Sequence, residues 1–281
     1  MKIAVSGSGG FIGTHLVKAI SELGLEVICL DARNGIDMTR WEQLACTPEF
    51  DVFVHLAAKS FVPDSWNHPR DFYHTNIVAT LNALELCRLH GARMLYTSSY
   101  VYGVPRYLPI DENHPVIAFN PYAKSKLMGE RLCRNFHEDF GVPVKIIRPF
   151  NVYGLGQNGK FLIPTIISQA KTGTIRLNDP NPKRDFVFVN DLVSAYMRAI
   201  QSNETNCEIF NIGSGVSYSV REIVQIVQGH FGKELDIHFS EKIRANEISD
   251  TVADIRKAAD VLRWQPKVDL TTGIKRMLEA A

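Results

Sequence analysis

The sequence lacks the features that mark secreted, membrane-spanning or polyanion-binding proteins. Its five cysteines, Cys29, Cys46, Cys87, Cys133 and Cys207, are odd in number and scattered, with no Cys-x-x-Cys pair. That argues against a disulfide framework and against a thiolate zinc site. No uninterrupted apolar run approaches the roughly 18 residues that span a bilayer. The opening "MKIAVSGSGG" is one short apolar run closed by glycines, not a charged leader with a long apolar centre. Formal net charge is only +1, so no strong field draws nucleic acid or an anionic membrane. Internal repeats and low-complexity tracts are also missing. The expectation is a reducing cytoplasm, with no metal, nucleic acid or membrane as partner.

What is present is ordinary for a soluble globular chain: 45% hydrophobic and 22% charged residues over 281 positions. That is enough for one large domain or two unequal lobes. The runs "KIAVSG", "EVICLD", "DVFVHLAA", "ARMLYTSS" and "VKIIRPF" read as buried strands. Between them "FIGTHLVKAISELG", "TRWEQLA", "HTNIVATLNALELCRLHG" and "YAKSKLMGERLCRNFHEDFG" carry helical apolar spacing. This alternation predicts an α/β fold, a doubly wound parallel sheet with helices on both faces. After Phe150 the texture changes. "NVYGLGQNGKF" and "LNDPNPKRD" read as loops, helices are expected at about 162–172, 190–201 and 219–231, and "EIFNIG" reads as a strand. The division expected is a dinucleotide-binding domain over 1–150 and a smaller substrate lobe over 151–281. The segment at about 185–213 is expected to return to the sheet.

The loop "VSGSGGFIG" joins a strand to a helix and places Gly7, Gly10 and Gly13 where a pyrophosphate can approach the backbone. Asp31 ends the second strand, and a carboxylate about 20 residues past such a loop can bond the ribose hydroxyls. Arg33 would suit a 2′-phosphate, which leaves NAD and NADP both open. In "NPYAKSKLMGE", Tyr122 and Lys126 share one helix face at i,i+4. A tyrosine titrates near pH 10. An ammonium one turn away, or a cationic oxidised nicotinamide, favours its phenolate. Lys126 can also reach a cofactor ribose. Ser98 and Ser99 close a predicted strand, at the end where open α/β sheets bind ligands. A serine hydroxyl there can hold the reacting oxygen beside Tyr122.

In order along the chain, "GSGGFIG", "HLAA", "TSSYVYG", "YAKSK", "RPFNVYG", "RDFVFVNDL" and the tail "ADIRKAADVLRWQPKVDLTTGI" resemble the extended short-chain dehydrogenase/reductase family. The likeness is to its nucleotide-sugar epimerase, dehydratase and reductase branch. It implies a Rossmann domain for NAD(P), a C-terminal lobe for a nucleoside diphosphate sugar, and a Ser98, Tyr122, Lys126 triad. It also implies cofactor contacts from Phe11, Ile12, Asp37, Leu56, Ala57, Ala58 and Pro149. Substrate contacts implied are Ser98, Ser99, Tyr122, Asn151, Arg184 and Arg244. Arginines suit a diphosphate because a guanidinium forms paired charged hydrogen bonds. Lys59, Gln157, Asn158, Phe161 and Pro164 are further pocket candidates. A homodimer through helices around 76–90 and 122–140 is implied as well.

Family dehydratases follow the triad Thr with Asp-Glu, uronate decarboxylases place Glu in the second of these positions, and fucose-synthase-type enzymes place Cys there. Here Ser99 and Tyr100 occupy those places, which leaves 4-keto reduction and 4-epimerisation. The short Asp31–Asp51 segment and "HLAAKSFVPDSW" resemble 4-ketoreductases, the latter those acting on GDP-4-keto-6-deoxymannose. The expectation is therefore reduction of a nucleoside-diphosphate 4-keto-6-deoxyhexose by NAD(P)H, with Tyr122 as proton donor. The alternative is a 4-epimerase of the UDP-glucose/galactose type. A non-catalytic dinucleotide-binding regulator is a third reading, and retention of Tyr122, Lys126 and Ser98 argues against it.

Overall fold

The computed structural model describes residues 1–202, 204–232, 234–240 and 247–280. Arg244 lies outside them. In the first half the chain runs β1 (Lys2–Ser6), α1 (Phe11–Glu22), β2 (Glu26–Leu30), α2 (Trp41–Leu44), β3 (Val52–His55), α3 (Val62–Asn67), α4 (Pro69–His90), β4 (Arg93–Thr97), α5 (Pro121–Phe140) and β5 (Val144–Pro149). It continues with β6 (Asn151–Tyr153), α6 (Leu162–Thr172), β7 (Thr174–Leu177), β8 (Lys183–Phe188), α7 (Val189–Gln201), β9 (Glu208–Ile212), β10 (Ser217–Ser219), α8 (Val220–Phe231), β11 (Asp236–Phe239), α9 (Arg256–Leu262) and α10 (Leu270–Glu279).

Six parallel strands form the main sheet in the order β2-β1-β3-β4-β5-β9. Alternation along each strand feeds two cores. Ile3 and Val5 of β1 pack with Leu16 and Ile20 of α1 and Leu192 and Tyr196 of α7. Ala4, between them, faces the opposite layer with Phe53, Ala83, Tyr96 and Cys133. Strands covered on both faces are largely apolar, which is why these runs stand out in the sequence. After β1 the chain moves outward to β2, then returns past β1 to β3. The carboxyl ends of β1 and β3 therefore flank a topological switch point, where such sheets hold ligands.

Between β2 and β3 lie only a 3-10 turn, Ala32–Asn34, and the single turn of α2. No strand is inserted there, so β2 is the sheet edge. The second half is built differently. β6, β8 and β10 form a three-stranded sheet, β7 and β11 pair in parallel, and Tyr153, Ile166, Phe186, Phe188, Val224 and Ile274 fill a separate core. Two loop expectations are corrected here. "NVY" is strand β6, and β8 begins at Lys183, inside "LNDPNPKRD". A three-residue strand is too short to display a period of two. α4 also starts at Pro69, ahead of its expected His74 start, because Pro fits the first helical turn. Among the described residues no helix is long and apolar enough to cross a membrane.

Candidate active site

The glycine loop turns tightly against the end of β3. Gly7 has φ +68°, and a Cβ there would stand 2.8 Å from the Ala57 nitrogen. A Cβ on Gly13 would stand 2.1 Å from the Gly7 carbonyl oxygen. Both positions thus exclude any side chain. Gly10 caps α1 without a side-chain bond. The first-turn N–H groups, including those of Phe11 and Ile12, keep their partial positive charge for an anion. This cradle fits a dinucleotide pyrophosphate. Leu56 donates to Ser6 O, holding the Leu56–Ala58 segment alongside the loop.

Asp31 is buried, and its carboxylate accepts from Gly9 N and Arg33 N, both at 2.9 Å. The Arg33 guanidinium folds back onto the Gly9 carbonyl. Asp37, in contrast, turns into its own backbone. It accepts from Thr39 N and Oγ1, and these bonds hold its carboxyl below its ordinary pKa.

At the other wall, α5 begins at Pro121, with the Asn120 side chain accepting from Ala123 N at 2.8 Å. This cap and the N1 proline fix the helix start and so place Tyr122 and Lys126 on one face. Burial raises the Tyr122 phenol pKa, and the nearby Ser99 side chain opposes the rise. Lys126 is buried, with Nζ 4.7 Å from the Tyr96 ring centroid. Burial lowers its pKa to about 8, while Cys133 and Glu130 pull the other way.

Ser98 is buried and already engaged by the protein. It sits beneath the site and donates to Glu130 Oε1 at 2.5 Å. Glu130 also takes Arg148 Nε and Nη2 at 2.8 and 2.6 Å, and Arg148 Nη1 donates to the Tyr102 hydroxyl. The reason lies in strand geometry. Ser98 follows Tyr96 on the α5-facing side of β4, so its side chain enters the packed layer under the helix. Ser99, one residue beyond, emerges at the cleft. Charged pairs this buried are specific rather than strongly stabilising.

Asn76 of α4 ties the walls together. Its Nδ2 donates to Ser125 Oγ and to Lys59 O, and its Oδ1 accepts from Lys59 N. Ser125 Oγ in turn donates to the Tyr122 carbonyl at 2.7 Å. Asn76, Glu130 and Arg148 were not singled out from sequence; each is one of several polar residues in its helix or strand, and nothing local sets it apart.

From the substrate half, Arg184 comes close enough to Tyr100 for its charge to stabilise that phenolate, although burial dominates and raises the Tyr100 pKa. The Arg184 guanidinium is engaged by Glu247 and donates to the Lys183 and Ile248 carbonyls. Tyr100 packs on Tyr102 and Phe150. Neither it nor Ser99 supplies an acid or a thiol. Asn151 donates to Asp185 O, and Pro149 ends β5 beside β9. Lys59 pairs with Asp71, and Pro164 lies inside α6. Gln157, Asn158 and Phe161 lie on the loop between β6 and α6.

The family model described as the NAD dependent epimerase/dehydratase family matches residues 3–213. A putative UDP-glucose 4-epimerase of Methanocaldococcus jannaschii is 33% identical over 303 residues, covering 98% of this chain and 97% of that protein. The UDP-glucose 4-epimerase of Thermus thermophilus, solved with NAD, superposes with a TM-score of 0.88 at 27% identity, covering 99% and 98% of the two chains. RMD of Pseudomonas aeruginosa, solved with NADPH, does so with a TM-score of 0.90 at 29% identity, covering 99% and 97%. The glycine cradle and the tyrosine–lysine helix are thus those of a known lineage. The chain belongs to the NAD dependent epimerase/dehydratase family, a nucleotide-sugar group of the extended short-chain dehydrogenases/reductases, and is an NAD-dependent enzyme.

Proposed function

We propose that this enzyme is a nucleotide-sugar 4-epimerase acting on a UDP-hexose. The observation that carries the reading is the site's restricted chemistry. Tyr122 and Lys126 share one face of α5, and Ser99 and Tyr100 stand where dehydration would need two carboxyl groups. Relatives named as UDP-glucose 4-epimerases match nearly end to end and favour epimerisation over the 4-keto reduction put first from sequence.

Bound NAD supplies a reversible hydride acceptor at C4. The Tyr122 phenolate takes the proton of the C4 hydroxyl, and the same residue returns it after the sugar presents its other face. Ser99 donates a hydrogen bond to the reacting oxygen. The Lys126 ammonium favours the phenolate and holds the cofactor ribose. Asn151, Arg184 and Arg244 are assigned to the sugar diphosphate, and Arg184 must exchange Glu247 for phosphate oxygens. Asp31 favours NAD over NADP, because a 2′-phosphate would meet a carboxylate already fixed by two backbone N–H groups. Exposed Leu81, Leu89, Met128 and Phe140 on α4 and α5 support a homodimer through those helices.

The deciding assay follows UDP-glucose and UDP-galactose by chromatography with no reductant added. Interconversion is expected. NADH or NADPH consumed one for one with a 4-keto sugar, without interconversion, would establish the reductase instead.

A further inference from the structure

Residues 154–161 join β6 to α6 and belong to the substrate half, yet both ends of this loop touch the cofactor half. At one end the Leu155 carbonyl accepts from His15 Nε2 of α1 at 2.8 Å. Phe11, one turn earlier, lies edge-on to the His15 ring at 5.9 Å. At the other end Phe161 meets Phe61 edge to face, with centroids 5.7 Å apart, and Lys160 Nζ stands 5.5 Å from the Phe61 centroid. Phe61 lies on the segment that continues from Leu56–Ala58. The loop is braced from within, since Gln157 Nε2 donates to Val152 O and Lys160 N to Asn158 Oδ1. The remaining amide oxygen of Gln157 is buried without a partner among the described residues.

α1 and the end of β3 are the two walls of the dinucleotide crevice. A loop fastened to both passes across it. We propose that residues 154–161 are a strap over the bound dinucleotide, and that His15 is the positioning residue that latches it and sets how fast NAD leaves. The purpose rests on the epimerase reading, because an enzyme that regains its hydride in every cycle works without exchanging cofactor. The fastening is light: one hydrogen bond to a carbonyl, one aromatic edge contact and one ammonium over an aromatic ring. The strap therefore opens and recloses rather than locking permanently. The side chain needs a donor at the reach of Nε2, and the imidazole has one in either charge state when Nε2 carries hydrogen.

The test is a chase of radiolabelled NAD from the loaded full-length protein by excess unlabelled NAD. His15→Phe keeps a ring and removes the donor; release is expected about five- to tenfold faster than wild type. Phe61→Ala loosens the other end and should act in the same direction. His15→Gln retains an N–H donor and should restore slow release. Equal release from wild type and His15→Phe would overturn the proposal, as would His15→Gln releasing as fast as His15→Phe. Stoichiometric reductant consumption would sink the epimerase reading and leave this comparison of release rates intact.

Discussion

The two walls of the cleft are made by different means. The cofactor wall rests on parallel strands buried on both faces, with apolar side chains filling two layers. The substrate wall has an apolar core of its own, but its strands β6 and β10 are only three residues each and it also leans on one buried carboxylate. Asp185 accepts from Ser214 N and Oγ, Gly215 N and Ala253 N, at 2.6 to 3.0 Å. A diffuse core tolerates the loss of any one contact, whereas a polar bolt fails at once when its acceptor is removed. Chemistry and substrate recognition are therefore separable by mutation.

The largest expected effect is on the rigid wall. Tyr122→Phe should lower kcat by about 10²–10⁴-fold, as expected for a lost general acid–base, while NAD still binds by titration. Asp185→Ala should show the opposite pattern. With three backbone donors orphaned, and Ser214 Oγ left with only the Val216 carbonyl, stability falls by about 3 kcal/mol or more. UDP-sugar affinity should collapse while NAD affinity changes little; equal loss of both would erase the distinction between the walls. Next come the adjacent serines. Ser99→Ala should reduce kcat by about 10²-fold through loss of a hydrogen bond to the reacting oxygen. Ser98→Ala should chiefly lower the melting temperature, and a reversed ranking would return the reacting oxygen to Ser98.

A smaller effect concerns acid. His55 is fully enclosed, bonded to Ser6 Oγ at 2.7 Å and to Thr80 Oγ1 at 3.2 Å. Burial, aided by the Lys126 charge, lowers its pKa to about 3. The unfolded chain therefore binds a proton that the folded chain refuses as pH falls below the ordinary histidine value of 6.5. Stability attributable to His55 is complete above that value and is lost toward pH 3, with a limiting slope of about 1.4 kcal/mol per pH unit. Denaturant titrations of His55→Gln should show a shallower decline over that range.

The same contrast explains what the sequence made legible. Apolar runs such as "KIAVSG" can only be strands covered on both sides, and Gly7 and Gly13 tolerate no side chain, so these positions announced themselves. Tyr122 and Lys126 were readable because helical spacing alone sets their shared face. The resemblance singled out Ser98 for the triad, but its hydrogen bond to Glu130 was not legible, because the phase of β4 decides which hydroxyl enters the packed layer. Asp185 gave no signal, since its partners come from distant backbone. Arg148 looked like one of two charges, with Lys145, in an otherwise apolar strand; only the fold brings Glu130 to it.

Asn76 has a consequence beyond geometry. It fastens the backbone of Tyr122, through Ser125, to a helix whose outer face carries exposed Leu81 and Leu89. If two copies associate through that face, Tyr122 is braced by a neighbour, and turnover per molecule becomes a function of concentration. Specific activity should then fall on dilution in step with the dimer fraction measured by sedimentation. Activity that is constant while dimers dissociate would show that each copy works alone.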